Sequence, residues 1–589
     1  MDDDCKRQDQ SAHFPAHDGT ELFYRHWLAV LPSAQKQAVV LLHRGHEHSL
    51  RLAHLVDELG LPEYDFFAWD ARGHGNSPGP RGDSPSFGTS VADLQAFIEH
   101  LTTHHGVDEA NVAIVAQSVG AVVAATWAHD YAPRIRCLVL AAPAFQIKLY
   151  VPFAWVGLRL LYALRGNFFI NSYVKPRFLT HDSARIADYQ RDPAISRAIS
   201  VRMLLGLREA ADRVIKDAGA IRLPTQLLIS GRDAVVKRSA QERFFANLGT
   251  PYKEKHELTG FFHDTLGERQ RERVLPRIKR FILSHGERRL PMLDLRSADR
   301  HGPTCAEAEG LADTLPRHSL RAWYWRAVRL GLQQGARLSE GLRLGRETGF
   351  DSGSTLDYIY RYQPNGRSAL GRWIDHQYLN AIGWRGIRQR KLNLEALLLQ
   401  AQARLRQAGM ASRILDIAAG HGRYVLDALA QFPQPPEAVR LRDYSERNVH
   451  AGRALIRQRG LDALVTFEQG DAFDAEALAA LRPRPTLIVV SGLYELFADN
   501  ALIDRSLLGL TAALEPGGYL IYTGQPWHPQ LEFIARALTS HREGAPWVMR
   551  RREQTEMDLL VAHHGLRKLT QRTDDWGIFT VSLARKPLC

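Results

Sequence analysis

Three residues stand in an order that suggests a reaction. Ser118 ends the run Val-Ala-Ile-Val-Ala-Gln-Ser, Asp233 follows a second apolar run, and His263 lies further on. Serine, acid and base in this order can carry out acyl transfer through a serine ester: the imidazole takes the hydroxyl proton and the carboxylate orients the imidazole. The G-x-S-x-G elbow has Ala116 in place of its first glycine and keeps the second, Gly120. Small residues are needed there because the nucleophile stands on a tight strand-to-helix turn that aims the following N–H at the developing oxyanion.

A second set of residues implies a different site. Asp416-Ile-Ala-Ala-Gly-His-Gly422 joins an apolar run to the helical stretch Arg423-Tyr-Val-Leu-Asp-Ala-Leu, and glycines at such a turn let the backbone approach a nucleotide-like ligand closely. A dinucleotide fingerprint would need a small residue where Val425 stands. Asp443 ends the next apolar run, and Gly470-Asp471-Ala472 ends the one after it. His46, His48 and His74 match no metal-ligand spacing, so they are expected to serve loop structure, and no metal is expected.

These residues need strands and helices to hold them. At 589 residues the chain is too long for one core, and with 45% hydrophobic and 24% charged residues it has a globular composition. From Ala12 to about Ser284 apolar strands alternate with helical segments, among them Ala38–Leu42, Phe66–Asp70, Val112–Ala116 and Pro224–Ser230; this is the pattern of a parallel α/β sheet. Asp18-Gly19 reads as a hairpin turn. Over residues 144–222 the strand rhythm gives way to helical sequence rich in Trp, Tyr, Leu and Arg, which predicts a lid. Residues 287–317 are polar and aperiodic and predict a linker between a domain at 1–286 and a helical connector at 318–394. In that connector Trp323, Leu330, Leu338 and Leu342 fall at helical spacing among arginines, as a packing stripe or a membrane-surface helix. A second α/β rhythm fills 395–589, with strands at Leu487 and Tyr519 and a closing hairpin near Leu566–Thr570 and Ile578–Leu583.

Asp70-Ala-Arg-Gly-His-Gly-Asn-Ser77 and His43-Arg-Gly-His-Glu-His-Ser49 resemble the monoacylglycerol lipase and lysophospholipase branch of serine α/β-hydrolases, over roughly residues 12–284. The resemblance implies a lidded α/β-hydrolase fold that needs no cofactor. It also implies a small lipid-like ester substrate and an oxyanion hole made by the N–H groups of Gly45 and Val119. Arg44 stands where that branch usually has glycine, and its side chain either narrows the acyl site or points outward. The second half is similar to class I S-adenosylmethionine-dependent methyltransferases, with a Rossmann-like fold. By that resemblance S-adenosylmethionine is the cofactor. Asp416, Gly420 and Gly422 form its first motif, Asp443 binds the ribose hydroxyls, and Asp471 with Ala472 meets the adenine. Tyr494, Glu495 and His528 lie where an acceptor's proton could be removed. The whole chain resembles bacterial fusions of a hydrolase with a methyltransferase, in which Gly349–Tyr362 and Trp373–His376 cover the substrate side. Two readings follow: a bifunctional enzyme, or one catalytic half joined to a binding or membrane-docking module.

The net charge of +12 is compatible with nucleic acid, an anionic membrane surface or simply an arginine-rich chain. No zinc-finger or RNP-like spacing occurs, so no nucleic-acid partner is expected. Four scattered cysteines and a start without an apolar core predict a reducing, cytoplasmic setting. The apolar stretch from Leu149 to Ile170 is broken by Pro152, Arg159 and Arg165. It is a poor bilayer span but could lie on the inner membrane as a peripheral contact.

Overall fold

The computed structural model describes residues 7–172, 174–286, 294–542 and 544–588. The chain divides into two compact units, Met1–Met292 and Leu293–Cys589.

In the first unit the strands are β1 (Gln10–Pro15), β2 (Glu21–Trp27), β3 (Gln37–Leu42), β4 (Tyr64–Trp69), β5 (Val112–Gln117) and β6 (Cys137–Ala141), followed by β7 (Phe169–Asn171), β8 (Ala198–Ser200), β9 (Thr225–Ser230) and β10 (Lys253–Leu258). Eight of them form one sheet in the order β1-β2-β4-β3-β5-β6-β9-β10. It is parallel from β4 onward, and β2 runs antiparallel to both β1 and β4. The central strands are apolar throughout because helices cover both faces. Alternation divides their side chains: Ala38, Val40 and Leu42 of β3 join the core under helices Phe87–His104 and Val119–Tyr131, while Val39 and Leu41 join the core under Leu275–Ser284.

The lid contains helices Ala154–Arg165, Ser183–Arg191 and Val201–Lys216. It also holds the antiparallel strand pair β7–β8, which the helical expectation missed. Strands of three residues are too short to show a period. The first lid helix buries none of its side chains and leaves Val156, Leu160, Leu161 and Leu164 exposed. Among the described residues, no helix is long and apolar enough to cross a membrane.

The second unit is built on β11 (Arg413–Ile417), β12 (Ala438–Asp443), β13 (Val465–Gln469), β14 (Leu487–Val490), β15 (Tyr519–Gly524), β16 (Arg567–Thr573) and β17 (Thr580–Arg585). Their order is β13-β12-β11-β14-β15-β17-β16. The first five are parallel, and β17 runs antiparallel between β15 and β16. Helix Ile382–Gln407 places Leu394, Leu397, Leu398, Ala401 and Leu405 against the sheet.

Two expectations need correction. The segment read as a linker over 287–317 forms helix Pro303–Ala312 and is tied into the second unit, where Arg550 donates to Thr304 Oγ1 at 3.0 Å and the Asn500 N–H to Asp299 Oδ2 at 3.0 Å. Its Gly302-Pro303 is a helix start, not a loop; residues 287–293 lie outside the described residues. The connector over 318–394 shares a core with the rest of that unit through Phe350, Trp384 and Trp547. Its expected stripe holds only in part: Leu342 is buried and Leu338 half-buried, whereas Trp323 and Leu330 are exposed and their neighbours Ala322 and Trp325 are buried.

One carboxylate holds this helical region together. Asp375 is fully buried and accepts hydrogen bonds from Ser339 Oγ (2.5 Å), Gly341 N (2.7 Å), Tyr358 Oη (2.6 Å) and Asn365 N (3.0 Å). Asp375→Ala strips three buried donors, and the part-buried Asn365 N–H, of their acceptor. The second unit should lose on the order of 3 kcal/mol. In calorimetry its melting transition falls while that of the first unit stays in place.

Candidate functional site

Ser118 stands on the turn between β5 and helix Val119–Tyr131, with φ 55° and ψ −113°. A Cβ on Gly120 would sit 2.5 Å from the His43 carbonyl oxygen, so this close approach requires glycine. Ser118 Oγ lies 2.8 Å from His263 Nε2, and His263 Nδ1 lies 2.8 Å from Asp233 Oδ2. The other oxygen of Asp233 accepts the N–H groups of Val235 (2.7 Å) and Val236 (3.0 Å). Burial acts to raise the pKa of Asp233, but the charge and hydrogen bond of His263 and the two backbone donors outweigh it, and the carboxyl titrates below its usual range. The neighbouring Asp264 was not singled out by sequence. It is buried, accepts from Gln117 Nε2 at 3.0 Å and pairs with Arg185 Nε at 3.2 Å, which fixes the loop that carries His263.

Gly45 and Val119 border Ser118 in one cavity of about 150 Å³. A Cβ on Gly45 would come within 3.1 Å of Val119 Cγ2, so the two segments are in near contact. Arg44 does not point outward. It is buried, forms a two-pronged pair with Glu47 (2.8 and 2.6 Å), and lies over the Tyr189 ring at 5.3 Å. His43 donates from Nδ1 to the Arg44 carbonyl (2.7 Å) and accepts the Ala71 N–H at Nε2 (3.0 Å), tying the two loops above the strand ends together. His48 contacts Asp192 (2.8 Å) and His74 the Arg72 carbonyl (2.8 Å). Among the described residues no group of His, Cys, Asp and Glu could hold a metal ion.

In the second unit a cleft of about 580 Å³ opens at the carboxyl ends of β11, β12 and β14, bordered by Gly420, Gly422, Asp443, Asp471 and Ala472. Gly422 has φ 72°, and a Cβ there would strike Leu441 Cδ1 at 2.5 Å. Ala418 takes a left-handed φ of 53° where such turns favour glycine. Asp443 Oδ2 accepts the Gly420 N–H (2.8 Å), and its Oδ1 accepts the Ser445 N–H (2.9 Å) and Asn448 Nδ2 (3.0 Å). Burial raises the pKa of this carboxyl. Asp471 is exposed and accepts the Phe473 N–H at 2.8 Å.

Asp416 is not brought to this surface. It is fully buried, with Oδ1 accepting from the Tyr424 hydroxyl at 2.8 Å. Burial drives its pKa well above the usual carboxylate range. A match of sequence position does not report depth, and β11 carries this residue into the interior. Of the three candidate bases, Tyr494 is buried and donates to Ser506 Oγ at 3.0 Å, while Glu495 and His528 face a second cavity described below.

A lidded sheet with a serine triad, joined in one chain to a second parallel sheet with a glycine turn and a strand-end acid, defines a fusion of an α/β-hydrolase with a methyltransferase-type domain. Residues 33–270 match the family described as "Serine aminopeptidase, S33", and residues 278–586 match the family described as "Putative methyltransferase". The second match spans more than half of the chain, which belongs to that family. YnbC of Escherichia coli (strain K12) is similar over the whole length, at 55% identity across 97% of this chain and 97% of its own. Phospholipase YtpA of Bacillus subtilis is 23% identical over 43% of this chain and 97% of its own, and the monoglyceride lipase of Rattus norvegicus 27% identical over 38% and 72%. The solved monoacylglycerol lipase of Paleococcus ferrophilus aligns with 45% of this chain and 99% of its own at 23% identity, with a TM-score of 0.40.

The folded Asp416 holds its proton to higher pH than the unfolded chain does. Wild-type stability therefore falls as pH rises above about 4, the ordinary Asp range, until the folded pKa is passed. Asp416→Asn has no such proton to lose. Its urea midpoint should fall less than that of the wild type between about pH 5 and pH 8.

Proposed function

We propose that the chain is a bifunctional enzyme: a serine hydrolase of lipid-like acyl esters, of the monoacylglycerol or lysophospholipid type, joined to an S-adenosylmethionine-dependent methyltransferase. The observation that carries the first half is the relay from Ser118 through His263 to Asp233, with both contacts at 2.8 Å, opening on an apolar cavity under the lid. Ser118 Oγ attacks the ester carbonyl while His263 Nε2 takes its proton, and the Gly45 and Val119 N–H groups receive the oxyanion. His263 then protonates the leaving alcohol and later activates the water that frees the acid. Asp233 steadies the imidazolium through Nδ1. The exposed apolar lid face of Val156, Leu160 and Leu164 suits a peripheral contact with the inner membrane, where such esters reside.

In the second half the residues fit the cofactor. The turn at Gly420–Gly422 leaves a cradle that side chains would fill, and Asp443 Oδ2, which accepts only the Gly420 N–H, can accept a further bond from a ribose hydroxyl. Asp471 and Ala472 would meet the adenine. When bound there, S-adenosylmethionine supplies an electrophilic methyl group.

A fluorophosphonate probe should label the wild type and leave Ser118→Ala unlabelled; equal labelling of both would remove Ser118 as nucleophile. In calorimetry the wild type should bind S-adenosylmethionine, and Asp443→Ala should weaken binding at least about tenfold, the scale of one charged hydrogen bond. A correctly folded wild type that gives no binding heat would end the cofactor reading.

A further inference from the structure

A cavity of about 310 Å³ opens beside the cleft assigned to the cofactor, and Arg390, Gly492 and Leu496 border both spaces. Its walls are apolar and largely aromatic, including Trp384, Trp547, Phe533 and Phe579. The volume lies near the lower end of the roughly 300–1,000 Å³ typical of small-molecule sites.

Five groups in this wall keep a buried atom without a hydrogen-bond partner among the described residues: Arg390 Nε, Gln525 Nε2, Trp547 Nε1, the Tyr378 hydroxyl and Glu495 Oε2. Arg390, Gln525, Trp547 and Glu495 are each more than nine-tenths buried. Arg390 lies 3.8 Å from Glu495 Oε1 and over the Phe579 ring at 5.1 Å. The same Glu495 Oε1 accepts from Thr523 Oγ1 (2.7 Å), which in turn accepts the Gly492 N–H (2.8 Å). Buried polar atoms are rarely left unpaired, and here the donors of Arg390, Gln525 and Trp547 and the Tyr378 hydroxyl share the wall with one free carboxylate oxygen. A ligand hydroxyl can meet Glu495 and two donors at once, since its oxygen accepts twice and its hydrogen donates once. A carboxylate ligand would set like charges against Glu495, and an ammonium has no lone pair for the donors.

The neighbouring bases do not compete. His528 Nδ1 accepts the Gln530 N–H at 3.0 Å, which leaves its proton on Nε2 and makes the ring a donor. Burial pushes its pKa down to about 4. The Tyr494 hydroxyl is committed to Ser506.

We propose that this cavity is the methyl-acceptor site, that it takes an apolar molecule bearing a hydroxyl group, and that Glu495 removes the hydroxyl proton while Arg390 and Gln525 hold the oxygen. The assignment rests on the methyltransferase reading of the adjoining cleft. The acceptor oxygen forms a C–O bond as the sulfonium S–C bond breaks and its electron pair stays on sulfur. The hydroxyl proton passes to Glu495 Oε2 and from there to solvent. The products are a methyl ether and S-adenosylhomocysteine.

The test uses the full-length protein, titrated calorimetrically with 2-naphthol, 1-octanol and the hydroxyl-free 2-methylnaphthalene and octane. At least one alcohol should bind about tenfold or more tightly than its hydrocarbon partner, the scale of recognising one hydroxyl through buried polar groups. Whichever alcohol wins tells whether the acceptor body is aromatic or alkyl. In Glu495→Leu the preference should disappear while S-adenosylmethionine binding stays within about twofold, which also reports that the variant is folded. Transfer of labelled methyl to the bound alcohol should fall about 100-fold or more in Glu495→Gln, the range for loss of a general base. Wild-type protein that binds S-adenosylmethionine yet prefers neither alcohol overturns the acceptor site alone, as does a preference that survives in Glu495→Leu. Alcohol binding without S-adenosylmethionine binding overturns the donor reading and, with it, the methyl transfer.

Discussion

A parallel sheet covered by helices on both faces leaves no wet side on which to place charge. Every ionised group that is to meet a ligand is pushed to the carboxyl ends of the strands, where the chain turns back towards a helix. Both units obey this constraint. Ser118 follows β5, Asp233 follows β9 and His263 follows β10, while Asp443 ends β12 and Glu495 follows β14. The exceptions are Arg390, which stands on helix Ile382–Gln407, and Asp416, which β11 carries into the interior and which burial drives towards its neutral form. Its neighbour Asp443, at the strand end with three donors around it, is the acid the cleft can use.

Turns that present a nucleophile or admit a cofactor are conformationally expensive, and this chain supports them with buried ion pairs and hydrogen-bond hubs. Arg44 with Glu47 and Asp264 with Arg185 brace the loops around Ser118 and His263. In the second unit Arg552 donates to the carbonyls of Phe497 and Ala498, and Arg550 pairs with Glu556 at 2.6 Å, so the loop after β14 that carries Glu495 is anchored from beneath. Many arginines that make the chain basic are therefore internal fasteners. Net charge alone could not separate that role from attraction to an anionic partner.

The strands and the ordered residues Ser118, Asp233 and His263 were legible because their signals are local: an apolar run, a small residue, an acid at a fixed offset. Depth was not legible, and for that reason Asp416 was read as facing the cleft. Register over short or weakly amphipathic stretches was also hidden, as the exposed Trp323 and the unforeseen strand pair β7–β8 show. The polar composition that suggested a linker near Pro303 belongs to a half-exposed helix, which uses such residues equally well. The cavity proposed for the acceptor left no sequence signature, since its wall is assembled from positions as distant as Leu332 and Phe579.

The lid helix Ala154–Arg165 buries none of its own side chains and, among the described residues, is tied by the Arg159–Glu209 pair and by Arg208 over Trp155. A helix of this length is marginal in water on its own. In dilute solution such a helix opens readily, and with arginines at 159 and 165 it offers a trypsin-type protease its bonds. Preparations purified without lipid or detergent would thus be nicked here, leaving the sheet with Ser118, Asp233 and His263 intact but separated from their cover.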